Sequence, residues 1–282
     1  MASIPLRIIY LLRWHKPGGR LILMIPALWA LVLASRQQGM VPPLDLTIVI
    51  ILGSLAASGM GCVINDIWDR DIDRQVERTR NRPLADKSLS LAVGVVVLAV
   101  AACCALGLAT YLNPLSFALC VAAVPVIVGY PLCKRFFAVP QLVLSLAWGF
   151  AVLIPWTAVT RTLDYAAWLL WGATLAWTMA FDTIYALSDR EDDRKLGINS
   201  AAIWLGDFAP QGIGGFYGLT ALLLALLGIT MHLGVFYFYS LILTTIGWGW
   251  HWYQLQSPTD YPQLFNQNVI FGFILLVGMI LG

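Results

Sequence analysis

Apolar residues run through the chain in long blocks, broken at intervals by short polar segments. A helix crosses a bilayer with about 20 predominantly apolar residues. The blocks at 21–34, 46–64, 89–112, 115–130, 139–159, 166–187, 213–233, 235–252 and 269–281 are candidates. Several are short or carry glycine and proline, which membrane helices tolerate where neighbouring helices satisfy the freed backbone groups. The pattern predicts an all-α polytopic membrane protein, with nine transmembrane helices bundled around a central cavity. Residues 4–14 are apolar but interrupted by Arg7 and Arg13, and no small-residue cleavage site precedes Lys16. They read as an amphipathic helix at the membrane interface rather than as a signal peptide. With no transit peptide evident, the expectation is a prokaryotic inner membrane or an already mature chain.

Composition narrows the class further. Of the 282 residues, 60% are hydrophobic and 11% charged, against roughly 45–50% and about 25% in a soluble domain. So few charges cannot cover a soluble surface, and the same balance excludes a disordered chain or a disulfide scaffold. A net charge of +2 provides no field for nucleic acid. The five cysteines (Cys62, Cys103, Cys104, Cys120, Cys133) form no CxxC pair and read as inert thiols in apolar surroundings. The three histidines are scattered, which argues against a histidine metal site.

Charges are placed asymmetrically. Fifteen of the 17 Lys and Arg residues lie in the N-terminal segment and in the connections after the second, fourth and sixth spans. Only Arg36 and Arg161 fall on the other side. The positive-inside rule therefore puts the N-terminus and the even-numbered connections in the cytoplasm. On the same side, 12 of the 15 acids gather in two clusters. One is Asp66, Asp69, Asp71, Asp73, Glu77 and Asp86; the other is Asp182, Asp189, Glu191, Asp192, Asp193 and Asp207. The clusters stand four spans apart. One domain over 1–282 is expected, built of two facing halves at roughly 20–135 and 136–255 and a last helix.

If the second helix continues past Ile64, Asn65, Asp69 and Asp73 lie at i, i+4 and i+8 on one face, with Asp66 at its border and Asp71 pointing away. Asp189 and Asp193 are also four residues apart, with Asp182 and Tyr185 on the preceding turns. Single acids in loops are commonly solvated and paired with neighbouring Arg. Two clusters at helical spacing on one side of the membrane instead form an all-oxygen ligand set, which suits Mg²⁺ sharing its shell with substrate phosphates. Like-charged carboxylates held close together call for a cation between them. Arg78, Arg80, Arg82, Lys134, Arg135, Arg194 and Lys195 satisfy the positive-inside rule individually and together could bind phosphate oxygens. Acids, Mg²⁺ and basic side chains at the mouth of an apolar bundle describe a diphosphate site with room for a lipid tail. Trp68, Tyr130, Phe181 and Tyr185 are either packing residues or aromatic faces turned towards a cation.

The run from Asn65 to Asp73 resembles the Asn-Asp-x-x-Asp-x-x-x-Asp motif of the UbiA superfamily of intramembrane prenyltransferases. Arg78-Thr79-Arg80-Asn81-Arg82-Pro83-Leu84 is similar to the segment that follows it there. Tyr130 and Lys134 match a Tyr-x-x-x-Lys element. Asp182-Thr183-Ile184-Tyr185-Ala186, Asp189 to Asp193 and Gly197-Ile198 resemble a second aspartate motif. The similarity runs from about Leu12 to the C-terminus, with four motifs in order. Lys16-Pro17-Gly18-Gly19-Arg20 and Ile25 to Ala30 are most similar to the 4-hydroxybenzoate polyprenyltransferases, and within them to a cyanobacterial solanesyl-transferring branch.

The resemblance implies a nine-helix bundle that binds a polyprenyl diphosphate through two Mg²⁺ ions. It implies metal or diphosphate roles for Asp66, Asp69, Asp73, Asp189 and Asp193, and also for Asp182 and Asp192; Asp69, Asp73, Asp189 and Asp193 would be the catalytic set. Arg78, Arg82, Lys134 and Arg135 would bind diphosphate oxygens, with Tyr130 and Tyr185 beside them and Asn65 near the aromatic acceptor. Two departures are visible: Ser58 stands where the subfamily often has Arg, and Asn199 where it often has Lys. Arg20 or Lys16 would then meet the acceptor carboxylate. The implied reaction is ionisation of the allylic C1–O bond followed by alkylation of the ring beside its hydroxyl. No obligate protein partner is expected. Homogentisate, naphthoate and tetrapyrrole acceptors stay open. A cation or proton transporter would need acids near the bilayer midplane, and the Asp-Gly and Ala-Arg landmarks of the CDP-alcohol phosphotransferases are missing around Asp66 to Asp73.

Overall fold

The computed structural model describes residues 3–282. A short helix α1 (Ile4–Leu11) precedes α2 (Gly18–Gln37), α3 (Leu44–Asp73), α4 (Leu91–Ala109), α5 (Pro114–Cys133) and α6 (Pro140–Thr160). There follow α7 (Tyr165–Leu187), the short α8 (Arg190–Leu196) and α9 (Ala201–Leu205), and then α10 (Ala209–Thr230), α11 (Val235–Gln254) and α12 (Tyr261–Leu281). Local chemistry sets many of the starts. Ser90, Asn113, Asp164 and Asp260 each accept a hydrogen bond from the backbone N–H three residues on. Proline in the first turn opens α5, α6, α10 and α12, where its missing N–H costs nothing.

Among the described residues, seven helices are long and apolar enough to cross a membrane. Helices α7 and α11 have the length, at 23 and 20 residues, but are rich in Trp, Tyr and Thr, which lowers their apolarity. The all-helical membrane class therefore holds, while length and apolarity alone support seven spans rather than nine. Boundaries also move. The second helix runs nine residues beyond Ile64, to Asp73, so the acidic motif is helical as its spacing required. The last helix begins at Tyr261, two turns before the apolar block at 269–281, because Asp260 caps it there. None of the five cysteines is paired.

The main core joins α2, α6, α7 and α10–α12 around Trp29, Trp156, Trp177, Phe181, Tyr217 and Trp248. Membrane helices gain little from apolar burial against one another, so close packing and buried polar contacts hold them together. A methyl on Gly272 would lie 2.8 Å from Ile25 and 3.0 Å from Trp177, so α12 meets α2 and α7 with no room for a side chain there. Asn268 of α12 accepts from Trp177 Nε1 at 3.0 Å and from the Tyr217 hydroxyl at 3.1 Å. His251 Nδ1 lies 3.2 Å from that hydroxyl. One of the scattered histidines is thus helix glue. On the opposite side, α4 buries only Gly94 and Ala109 and packs against α3. A small second core of Leu11, Val63, Leu84 and Leu89 fastens α1 and the loop after α3 to the end of that helix.

Candidate active site

A cavity of about 1560 Å³ lies among α2, α3, α5, α6, α7 and α12 and reaches α4. Its deep wall is apolar, including Ala105, Leu106, Leu112, Phe117, Val121, Val124 and Ile154. Its other end is polar, with Asn65, Asp73, Arg78, Arg82, Lys134, Asp182, Tyr185, Asp189 and Asp193. Both acidic clusters meet there because their loops are tied across the bundle. The Asn199 N–H donates to the Lys134 carbonyl at 2.8 Å, drawing the segment after α8 against the end of α5. Gln141 of α6 accepts from the Ala201 N–H at 2.7 Å. Arg74 Nε donates to the Ala85 carbonyl at 2.7 Å and folds the loop after α3 back on itself.

The carboxylates of the first cluster are deeply buried: Asp69 is 0%, Asp66 1% and Asp73 5% exposed. Each is held by a cation. Lys134 Nζ donates to Asp69 Oδ2. Arg82 Nη1 bridges Asp73 Oδ2 at 2.7 Å and Asp66 Oδ1 at 3.3 Å. Burial works against the charged Arg82 guanidinium, but Asp66 and Asp73 outweigh it, and its pKa is raised. Arg78 joins the two acidic clusters: Nε donates to Asp189 Oδ1 at 2.7 Å and Nη1 to the Tyr185 hydroxyl at 2.6 Å, with the guanidinium 4.8 Å from the Tyr185 ring centre. Burial again opposes the Arg78 charge and is overcome by the Asp189 hydrogen bond and the neighbouring Tyr185 and Asp189.

Several of the sequence expectations meet here and some do not. Asp189 and Asp193 are not on a continuation of α7. That helix ends at Leu187, and Asp189 stands at the start of α8, where the Asp193 N–H still donates to its carbonyl at 2.8 Å. The break leaves both carboxylates on the cavity wall. The Asp193 carboxyl is pushed up to about 7, by burial first and then by the neighbouring Asp189 charge. Asp192 does not line the cavity; it sits 3.7 Å from Lys195. Arg135 is also outside, donating to the Trp68 carbonyl at 2.6 Å. Asp71 is 69% exposed, pointing away as its spacing required. Tyr130, Lys16 and Arg20 line the cavity. Asp66 and Asp69 lie just behind its wall, covered by their basic partners.

One residue was not singled out from sequence. Arg13 lines the cavity and donates from Nη2 to Asp66 Oδ1 at 2.6 Å. In sequence it is one of many positive-inside charges, with no local signal of its partner 53 residues away.

The donor set suits a hard divalent cation. Asp66 Oδ2 and Asp69 Oδ1 are buried without a hydrogen-bond partner, which is costly unless something charged reaches them. Every candidate ligand is an oxygen, the preference of Mg²⁺. Among the described residues, no three His, Cys, Asp or Glu side chains converge closely enough to hold an ion alone. A cation here would complete its shell with water or with phosphate oxygens.

The pattern of the UbiA prenyltransferase family matches residues 23–271. The chain belongs to that family. It is 60% identical to a 4-hydroxybenzoate solanesyltransferase of Synechocystis sp., over 98% of this chain and 95% of that protein. It is 39% identical to a 4-hydroxybenzoate octaprenyltransferase of Nitrosomonas europaea, over 96% and 92%. Among solved structures, a UbiA homologue from Aeropyrum pernix superposes with a TM-score of 0.81 at 25% identity, over 92% of this chain and 96% of that one. A homologue from Archaeoglobus fulgidus, solved bound to GPP and Mg²⁺, shares the fold with a TM-score of 0.76 at 19% identity, over 97% and 98%. The family's polytopic helical fold is the one observed here, and this chain is a membrane prenyltransferase.

Proposed function

We propose that this protein transfers a polyprenyl group from a polyprenyl diphosphate to the ring of 4-hydroxybenzoate, in the biosynthesis of plastoquinone or ubiquinone. The observation that carries the substrate is 60% identity, over nearly the full length of both chains, to a 4-hydroxybenzoate solanesyltransferase. The cavity supports it, with charge at one end for a diphosphate and an apolar body for the tail. The decisive assay supplies purified protein with 4-hydroxybenzoate, homogentisate or a naphthoate together with solanesyl diphosphate. Alkylation of 4-hydroxybenzoate is expected; alkylation of another acceptor alone would keep the family and overturn this substrate.

Asp69, Asp73, Asp189 and Asp193 are the residues proposed to hold Mg²⁺, two ions bridging the diphosphate, with Asp66 and Asp182 behind or beside them. The Mg²⁺-bound relative supports this cofactor by its shared fold. When bound, Mg²⁺ would neutralise charge gathering on the diphosphate as the C1–O bond ionises. Lys134, Arg78 and Arg82 orient the leaving group by donating to its oxygens, exchanging their present carboxylate partners for phosphate. The apolar walls keep water from the allyl cation. Asn65 stands beside the acceptor.

The same reading has α7 and α11 completing nine spans in the cytoplasmic membrane, with the N-terminus inside and the two halves facing each other. Segments 65–88 and 188–209 are then both cytoplasmic. A cysteine-accessibility map on intact and inverted vesicles should label them from the same side. Labelling from opposite sides would end the single-site reading.

The acceptor carboxylate, para to the hydroxyl, needs a partner that Ser58 cannot be. Arg20, buried with its Nε unpaired, and Lys16 both line the cavity. Arg20→Gln should raise the KM for 4-hydroxybenzoate more than that for the diphosphate. The expected loss is about 1.5–3 kcal/mol, the range for a hydrogen bond to a charged group. Ser58→Arg should partly restore it. If Arg20→Gln and Lys16→Gln each leave both KM values unchanged, neither residue meets the carboxylate.

A further inference from the structure

The acids of the second cluster stand on two separate helices. Asp182 belongs to α7, which ends at Leu187, whereas Asp193 belongs to α8, which starts afresh at Arg190. A helix fixes the spacing of its own side chains, but across a break the spacing has to be set from outside. Beyond α8 the chain turns at Gly197, left-handed at φ 67°, and the Ile198 N–H donates to the Asp193 carbonyl at 2.9 Å. Ile198, Asn199 and Ser200 then form part of the cavity wall. Whatever holds these three residues therefore also holds Asp193.

Two bonds tie them across the bundle. One joins backbone to backbone, from the Asn199 N–H to the Lys134 carbonyl at 2.8 Å. The other comes from a side chain that belongs to none of the acidic or basic runs. Gln141, the second residue of α6, is buried at the cavity wall and accepts the Ala201 N–H on Oε1 at 2.7 Å. The same amide hydrogen-bonds the Asp182 carboxylate, which leaves Nε2 as the donor. These partners determine the side chain between them. A backbone N–H can only donate and an ionised carboxylate can only accept, so one stem must end in an acceptor and a donor together. An amide does so, whereas a carboxylate, an ammonium or an apolar group satisfies one partner at most. Ala201 is fully buried and Ser200 nearly so, so the N–H has no ready substitute in water.

We propose that Gln141 is a positioning residue for prenyl transfer, a strut whose single amide keeps Asp182 on α7 in register with Asp193 on α8. It acts through those acids and not on the substrate. With the strut in place, both acids close on the same Mg²⁺–diphosphate; without it, α8 and the wall segment after it are free to move relative to α7. The inference rests on the metal and diphosphate roles proposed above and adds to them a residue of α6. Both partners of the amide lie at the acid-lined end of the cavity, so its loss bears on the metal and the diphosphate rather than on the acceptor.

The test uses the full-length protein in lipid nanodiscs, with Mg²⁺, geranyl diphosphate and 4-hydroxybenzoate as probes. Gln141→Met keeps the length of the side chain and loses both bonds. Hydrogen exchange of the Ala201 amide, followed by mass spectrometry, should quicken at least about 10-fold. The Mg²⁺ concentration giving half-maximal activity should rise about 10- to 100-fold, and so should the calorimetric Kd of geranyl diphosphate in the presence of Mg²⁺. The KM for 4-hydroxybenzoate should change less than about twofold. Gln141→Asn carries the same amide on a shorter stem that cannot span both partners. It should move the same constants in the same direction by less, and it carries the test if the methionine variant does not insert. Faster exchange at Ala201 with the Mg²⁺ and diphosphate constants unchanged would make Gln141 a packing residue and overturn the proposal. Unchanged exchange, or an acceptor KM that rises as much as the other two constants, would do the same. Failure of the metal reading itself looks different: the unsubstituted protein would keep full activity in chelator, and exchange at Ala201 together with metal-free binding of geranyl diphosphate would still decide Gln141.

Discussion

Asp69→Ala and Asp193→Ala proteins should reach the membrane at unaltered levels and show no measurable prenyl transfer, a fall in kcat of at least about 10³-fold. The two positions come from opposite halves of the chain, and neither change opens the main core. Asp69 is fully buried with Oδ1 unpaired, so its second oxygen is the one a cation would reach. Asp193 lines the cavity on the far side, where burial and then the neighbouring Asp189 carboxylate make its charge costly to hold without a cation. Asp71→Ala supplies the control. That residue lies on the same helix but is 69% exposed, and its loss should leave turnover within about twofold, as for surface substitutions away from the site. A measurable rate for both site variants, close to that of Asp71→Ala, would show that the two clusters do not act together.

Chelation of divalent cations should abolish activity as completely, and added Mg²⁺ should restore it. Mn²⁺ should substitute, having a similar taste for oxygen ligands. The physical ground is the mismatch between acids and their present partners. Lys134, Arg82 and Arg78 satisfy one side of the buried carboxylates, yet Asp66 Oδ2 and Asp69 Oδ1 remain without a hydrogen bond. A diphosphate brings several negative charges to an end of the cavity where Asp73, Asp182, Asp189 and Asp193 already stand beside Arg78, Arg82 and Lys134. Only a cation arriving with it makes that association favourable. Full activity in excess chelator, measured after removal of tightly held metal, would remove the metal from the proposed reaction.

The pairing of acids and bases adds to the expectation of a cation among the carboxylates. Side-chain cations already stand among the clustered carboxylates, while Asp66 Oδ2 and Asp69 Oδ1 keep no partner. Lys134 comes from 65 residues away and Arg78 reaches Asp189 across 111. The basic residues that hold these acids are the same ones proposed to take up phosphate oxygens.

Sequence alone determined the features that arise from short-range periodicity and from the cost of charge in a bilayer. Long apolar blocks can only be helices, because lipid offers no partner for an unpaired backbone group. The i, i+4 spacing of Asn65, Asp69 and Asp73 carried α3 past its apolar end, and the motif order pointed to the family. The tertiary structure decided what depends on contacts between distant segments. It broke the chain at Asp189, turned Asp192 and Arg135 away from the cavity, and sank Asp66 and Asp69 behind their basic partners. It also delivered Arg13 to the wall. Spacing fixes which face of a helix a side chain shares, but the direction in which that face looks is set by packing. No pattern within the first twenty residues reveals that Arg13 meets a carboxylate on α3, because that meeting exists only once the N-terminal segment has docked against Gly59.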